Sequence, residues 1–128
     1  MEKRFVFTGC EQAELQDFEL GEPGEGQVRV RTAKSMISPG TEGICFSRLF
    51  DLGTHYDAWV RYPFYPGYIM IGTVEKCGSG VTSLSPGDRV VHIEPHASAA
   101  LVKDSACCKV PDKLPDETAI WSTFAKIT

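Results

Sequence analysis

Three potential metal ligands stand at alternate positions of one short segment, His92-Ile93-Glu94-Pro95-His96. On a regular strand the positions i, i+2 and i+4 share a face, and two imidazoles with a carboxylate form a ligand set for a divalent transition metal. Pro95 interrupts the strand inside that set, so the three are expected to be surface polar residues. Thiols stand at Cys10, Cys45, Cys77, Cys107 and Cys108, an odd set without a C-x-x-C pair. Such a set suits reduced thiols in a cytoplasmic protein better than a secreted disulfide framework. Cys107 and Cys108 are neighbours on a strand-like stretch and face opposite ways, one expected in the core and one half-exposed. Ser38, Thr41 and Glu42 cluster in Ser38-Pro39-Gly40-Thr41-Glu42. There Ser38 and Thr41 read as turn and N-cap residues, and Glu42 as a charge in the first turn of a helix. A phosphate-binding Gly-x-Gly-x-x-Gly is not present: Gly78-Ser79-Gly80 runs on into Val81-Thr82-Ser83 as a loop.

The elements that position these groups are short. Alternation predicts strands over 4–8, 13–20 and 27–33, with Val28 and Val30 inward, Arg29 and Arg31 outward, and an irregularity between Leu15 and Phe18. A short helix is expected over 42–50, followed by an aromatic loop holding His55, Tyr56, Trp59, Tyr62, Phe64 and Tyr65. That loop either caps the end of a barrel or lines a pocket. Further strands are expected over 68–77, where Gly72 marks a bulge or a close backbone approach, then over 89–93, 99–103 and 107–110. Frequent short strands between Gly/Pro turns indicate an all-β barrel-like or sandwich core. A helix over 116–127 carries Ile120, Trp121, Phe124 and Ile127 as one apolar stripe, expected to pack on following chain or on a second copy.

At 128 residues the chain supports one core. Thirteen Lys+Arg against seventeen Asp+Glu give a net charge of -4, which argues against a nucleic-acid binder. No apolar run is long enough to span a membrane.

Four motifs then occur in order: Gly24-Glu25-Gly26-Gln27-Val28-Arg29-Val30, Pro66-Gly67-Tyr68-Ile69-Met70-Ile71-Gly72-Thr73-Val74, Gly78-Ser79-Gly80-Val81 and Ser85-Pro86-Gly87-Asp88-Arg89-Val90. Together they resemble the N-terminal GroES-like domain of medium-chain dehydrogenases/reductases, the alcohol dehydrogenases and quinone reductases. The resemblance implies a mainly β, partly open GroES-like barrel with short helices. Residues 1–114 would form the substrate domain, and 115–128 would begin the helix leading to a Rossmann domain that lies outside this chain. It also implies an NAD or NADP oxidoreductase acting on a carbonyl/alcohol or enone-type small molecule, with the isolated chain inactive.

Where the zinc-using members place ligands, this sequence has Ser38, Tyr68 (in Gly67-Tyr68-Ile69) and Ser122. Zinc requires three soft or anionic protein ligands, so the resemblance points to a zinc-free member. It assigns catalytic roles to Ser38 and Tyr68 and cofactor contacts to Ser38 and Thr41, with Glu42 in the same loop. The competing reading is a free-standing GroES-like co-chaperonin or small β-barrel binding module without activity.

Overall fold

The computed structural model describes residues 1–127, with side chains through Lys126. The chain opens with a hairpin of β1 (Glu2–Gly9) and β2 (Gln12–Phe18). A five-stranded antiparallel sheet follows, built from β3 (Gln27–Ser35), β4 (Met70–Cys77), β5 (Arg89–His92), β6 (Ala99–Lys103) and β7 (Cys108–Lys109) in the order β6-β3-β4-β5-β7. Helices α1 (Pro39–Ser47) and α2 (His55–Trp59) lie in the β3–β4 connection, and α3 (Asp116–Ala119) and α4 (Ser122–Ile127) end the chain. β1 is stitched onto the loop before β6 by bonds from Phe5 N to His96 O (3.1 Å) and from Ser98 N to Lys3 O (2.8 Å). The hairpin therefore curls over the sheet, and the mainly β, partly open architecture expected of the sequence is the one observed.

Alternation decides the two faces of the sheet. Val90 and Val91 are neighbours on β5 and fall in different apolar clusters. One cluster gathers Val28, Val30, Val74, Leu84 and Val102; the other gathers Ile69, Ile71, Val110, Ala119 and Ile120. Each fully buried valine contributes about 1.5–3 kcal/mol. Arg29 and Arg31 point away from the core, as alternation requires, into an ion-pair cluster that clamps β1 to β3. Glu2 accepts from Arg29 Nη2 (2.8 Å), from Arg31 Nη1 (2.7 Å) and from Ser98 Oγ. These partners, Arg31 first, lower the Glu2 carboxyl from 4.5 to about 2.

Several boundaries differ from expectation for physical reasons. The irregularity in the hairpin falls between Phe7 and Gly9, beside the turn, and Leu15 pairs regularly with Phe5. α1 begins three residues early, because Pro39 fits the first helical position and Ser38, not Thr41, is the N-cap. The aromatic segment contains the one-turn α2, whose Thr54 cap accepts from Asp57 N. Its rings pack on one another and on the hairpin, with Phe64 stacked on Phe7 and Trp59 edge-on to Phe64.

The terminal helix is broken in two. Ile120 is buried in the second cluster with Phe124 packed against it, and Trp121 is 58% exposed. The expected stripe is thus split, with Ile120 inside, Phe124 half-buried and Trp121 outside, and Ile127 lies outside the described side chains.

Gly72 is the tightest crossing in the sheet, since a Cβ there would stand 2.2 Å from Arg31 O. β3 bulges opposite it, where the register shifts between Thr32 and Lys34. Gly72→Ala is expected to cost about 2–3 kcal/mol. Gly21→Ala, with nothing within 4 Å of its Cβ, should stay within about 0.5 kcal/mol. Denaturant midpoints of the two variants check this, and equal midpoints refute the crossing.

Candidate active site

The N-terminus of α1 is organised around a missing donor. Pro39 at the first helical position has no N–H, and Ser38, at φ -92 and ψ 96, does not cap the helix with its side chain. Instead Glu42 reaches back, and its Oε2 accepts from Ser38 N at 2.6 Å. This is a capping-box return bond displaced by one residue. The Ser38 hydroxyl, relieved of capping, accepts from Tyr68 Oη at 2.6 Å. On the other side, Glu42 Oε1 lies 2.6 Å from His96 Nε2. Tyr68, Ser38, Glu42 and His96 thus form one hydrogen-bonded chain across three segments.

Burial makes this chain consequential: Ser38, Glu42 and His96 are 6%, 6% and 5% exposed. A buried carboxylate is tolerated only when donors surround it, and Glu42 has the Ser38 N–H and the imidazole. With Glu42 accepting, the hydrogen-bond pattern assigns the proton of His96 to Nε2. His96 Nδ1 is then a buried acceptor, without a partner in the structure. Gly67, at φ 109, allows this contact, because a Cβ there would stand 2.7 Å from the His96 ring.

Two open cavities flank the chain. One of about 490 Å³ is mostly apolar, with Phe5, Phe7, Ile37 and Phe46 in its wall and Glu42 and His96 as its polar end. The other, about 260 Å³, is lined by Tyr68, His92, Ile93, Thr123 and Lys126.

Ser38 and Tyr68, distant in sequence, are therefore brought together. Thr41 sits half-buried on α1 outside the hydrogen-bonded chain. Ser122 does not line the smaller cavity; its neighbour Thr123, 7% exposed, does. The sequence places Glu42 in the same loop as Ser38 and Thr41, with a helix-end charge as the alternative, and reads His96 as a surface residue. The available signal for Glu42 was its place four residues after Ser38 across a proline. None existed for His96, 54 residues away.

The reading of His92, Glu94 and His96 as surface residues is corrected. Glu94 is half-buried. His92 and His96 are 1% and 5% exposed, His92 as the buried end of β5 and His96 because its N bonds to Pro66 O and its ring packs under Gly67. They line different cavities. Among the described residues no group of three or more His, Cys, Asp or Glu is placed to hold a metal ion. His92 Nδ1 accepts from Glu94 N at 3.2 Å, which assigns its proton to the buried, unpartnered Nε2. Burial lowers its pKa from 6.5 to about 4. The two neighbouring thiols do face differently, but both lie further out than expected, with Cys107 half-buried against the first cluster and Cys108 exposed. Burial pushes Cys107 up to about 11, which leaves it a poor nucleophile at neutral pH.

The sign of the pH dependence follows from these groups. Between pH 6.5 and 4 the unfolded chain protonates at His92 and the native chain resists it. That part of the stability is complete above 6.5 and is lost as pH falls toward 4. A second loss follows from 4.5 to about 2 as Glu2 protonates. Asp88, lowered chiefly by the Ser85 backbone N–H, contributes to that same acid limb. Urea titrations of His92→Gln should lack the upper slope and keep the lower one. An upper slope identical to wild type refutes the assignment.

Residues 24–124 match the family model of the alcohol dehydrogenase GroES-like domain. Human sorbitol dehydrogenase is 36% identical over 94 residues, 72% of this chain and 24% of that protein. An acryloyl-coenzyme A reductase of Metallosphaera sedula is 31% identical over 92 residues, 71% of this chain and 25% of that protein. The chain thus spans about a quarter of the curated relatives it matches. A quinone oxidoreductase of Pseudomonas syringae superposes with a TM-score of 0.70 at 26% identity, covering 94% of this chain and 37% of that one. Escherichia coli quinone oxidoreductase, solved with NADPH, superposes with a TM-score of 0.71 at 23% identity over 94% of this chain and 36% of that one, a likeness of fold.

Proposed function

The chain belongs to the alcohol dehydrogenase GroES-like domain family, and from that premise we propose that it is the substrate-side domain of a zinc-free, NAD(P)-dependent oxidoreductase. One observation carries the reading: Tyr68 donates to Ser38 Oγ at 2.6 Å. That bond leaves the Ser38 hydroxyl proton uncommitted, and a hydroxyl that accepts a hydrogen bond becomes a better donor. Ser38 is then suited to a substrate carbonyl oxygen, which gathers negative charge as its carbon or conjugated system is reduced. Ser38 touches the reacting oxygen in this reading, and Tyr68 acts through it. The nicotinamide, when bound, supplies or accepts the hydride. Ser38 and Thr41 are the contacts this domain offers to it.

Zinc does not fit the donor set. Ser38 and Tyr68 present neutral hydroxyl oxygens already bonded to each other, where zinc requires three soft or anionic ligands. Residues 1–114 form the substrate domain in this reading, and 115–128 lead toward a nucleotide-binding domain of the same polypeptide. The similarity to proteins named sorbitol dehydrogenase, acryloyl-coenzyme A reductase and quinone oxidoreductase supports a carbonyl/alcohol or enone-type substrate. The chain is a water-facing domain in the cytoplasm, and no described helix is long and apolar enough to cross a membrane. Taken alone it is inactive and has no NAD(P) affinity, and any self-association runs through the exposed Trp121.

Elemental analysis of the purified chain should return less than about 0.1 zinc per chain, and about one tightly held zinc overturns the zinc-free reading. In a polypeptide carrying both domains, Ser38→Ala should lower kcat about a hundredfold and Tyr68→Phe about tenfold, with KM within about twofold. Unchanged kcat in both removes the hydroxyl pair from the reaction.

A further inference from the structure

We infer that Arg4 heads a second binding site, one for a small organic carboxylate with an apolar body. The Arg4 guanidinium carbon lies 4.9 Å from the centre of the Phe18 ring and 4.6 Å from that of Tyr65. Ring faces attract a cation and hold it in place, but they do not replace the oxygen acceptors its N–H groups require. Arg4 Nε is buried and has no hydrogen-bond partner. The other half-buried arginines, Arg29, Arg48 and Arg89, each hold a carboxylate; among the described residues Arg4 holds none.

A cavity of about 290 Å³ opens beside it, with Phe18, Leu20, Tyr65 and Ala99 in its apolar wall and Glu94 as its other charged group. The charges select the ligand. One unpaired guanidinium with a carboxylate nearby suits a monoanion whose two coplanar oxygens match the guanidinium fork. A dianionic phosphate would meet Glu94 with a single cation to offset it. The apolar wall selects the body. The site is separate from the Ser38–Tyr68 pair, and it meets the hydrogen-bonded chain only at His96, which lines this cavity as well as the larger one.

The test is an NMR titration of the full chain with 4-phenylbutyrate as probe. It follows the Arg4 Nε–H resonance and the Phe18 and Tyr65 ring signals. Saturable shifts at all three are expected. 4-Phenylbutan-1-ol, the same body without charge, should bind about tenfold or more weakly, and Arg4→Gln should weaken the acid by a similar factor. Arg4→Lys, which keeps the charge without the fork, should fall between. Equal affinity for acid and alcohol, unchanged affinity in Arg4→Gln, or no saturable shift overturns the site. Inorganic phosphate displacing the acid at equal concentration overturns the carboxylate class. If Arg4→Gln gives no dispersed spectrum, the acid–alcohol comparison on the unaltered chain decides.

Discussion

A carboxylate buried at the first turn of a helix must be met by donors, and the way Glu42 is met shapes the whole candidate site. Removing an ion from water costs several kcal/mol even after relaxation. Glu42 offsets that cost with two short bonds, one to Ser38 N and one to His96 Nε2, each at 2.6 Å. The first bond turns the Ser38 side chain away from capping and toward Tyr68. The second demands that His96 approach α1 closely, and only a residue without a Cβ at position 67 allows it. One electrostatic requirement thus links the helix start, the Gly67-Tyr68 turn and the segment before β6.

The rest of the fold keeps those three segments in register. β4 is the central strand, paired with both β3 and β5, and the turn carrying Gly67 and Tyr68 leads directly into it. The β1 side is held by charge where burial does not suffice. Val6 is fully buried, but Phe5 is 50% exposed and Leu15 57% exposed, so apolar burial holds only part of the hairpin. The Glu2 cluster with Arg29 and Arg31 ties it down, reinforced by the backbone bonds of Phe5 to His96 and of Lys3 to Ser98. Arg4, on that same strand, has aromatic rings where its neighbours have carboxylates, and that contrast sets it apart chemically.

The legible parts of the fold were those decided locally. Alternation placed Val28 and Val30 in the core and Arg29 and Arg31 outside it. A lone glycine in an apolar strand marked the close crossing at Gly72. Ser85-Pro86-Gly87-Asp88 closes as a turn, with Asp88 N bonded to Ser85 O at 3.1 Å. What failed was either too short to show a period or settled by distant chain. The one-turn α2 is too short to show a helical period, although Thr54 and Asp57 carry its cap. The i, i+4 spacing does place Ile120 and Phe124 together in the second cluster, but it gives no sign of the break between α3 and α4. At the site, the proximity of Ser38 and Tyr68 followed from a family resemblance, and the burial of His92 and His96 followed from nothing visible around Pro95. A histidine two residues from a charge and next to a proline reads as surface until its contacts with Pro66, Gly67 and Glu42 are known.

The geometry at positions 38 and 68 rests on backbone rather than on the side chains that stand there. Met36 N bonds to Ile69 O at 3.0 Å, and Glu42 N bonds to Ser38 O at 2.9 Å. Neither bond involves the hydroxyl of Ser38 or of Tyr68. Together with the Glu42 bond to Ser38 N, these two bonds hold the start of α1 beside the segment that leads into β4. Side chains of different chemistry can occupy those positions without rebuilding the scaffold. Such an arrangement separates position from chemistry: the backbone bonds and the Glu42 contacts fix where two groups meet, and the side chains that stand there set which atoms face each other. In this chain the groups are two hydroxyls, one polarising the other, and the reaction class must be argued from them.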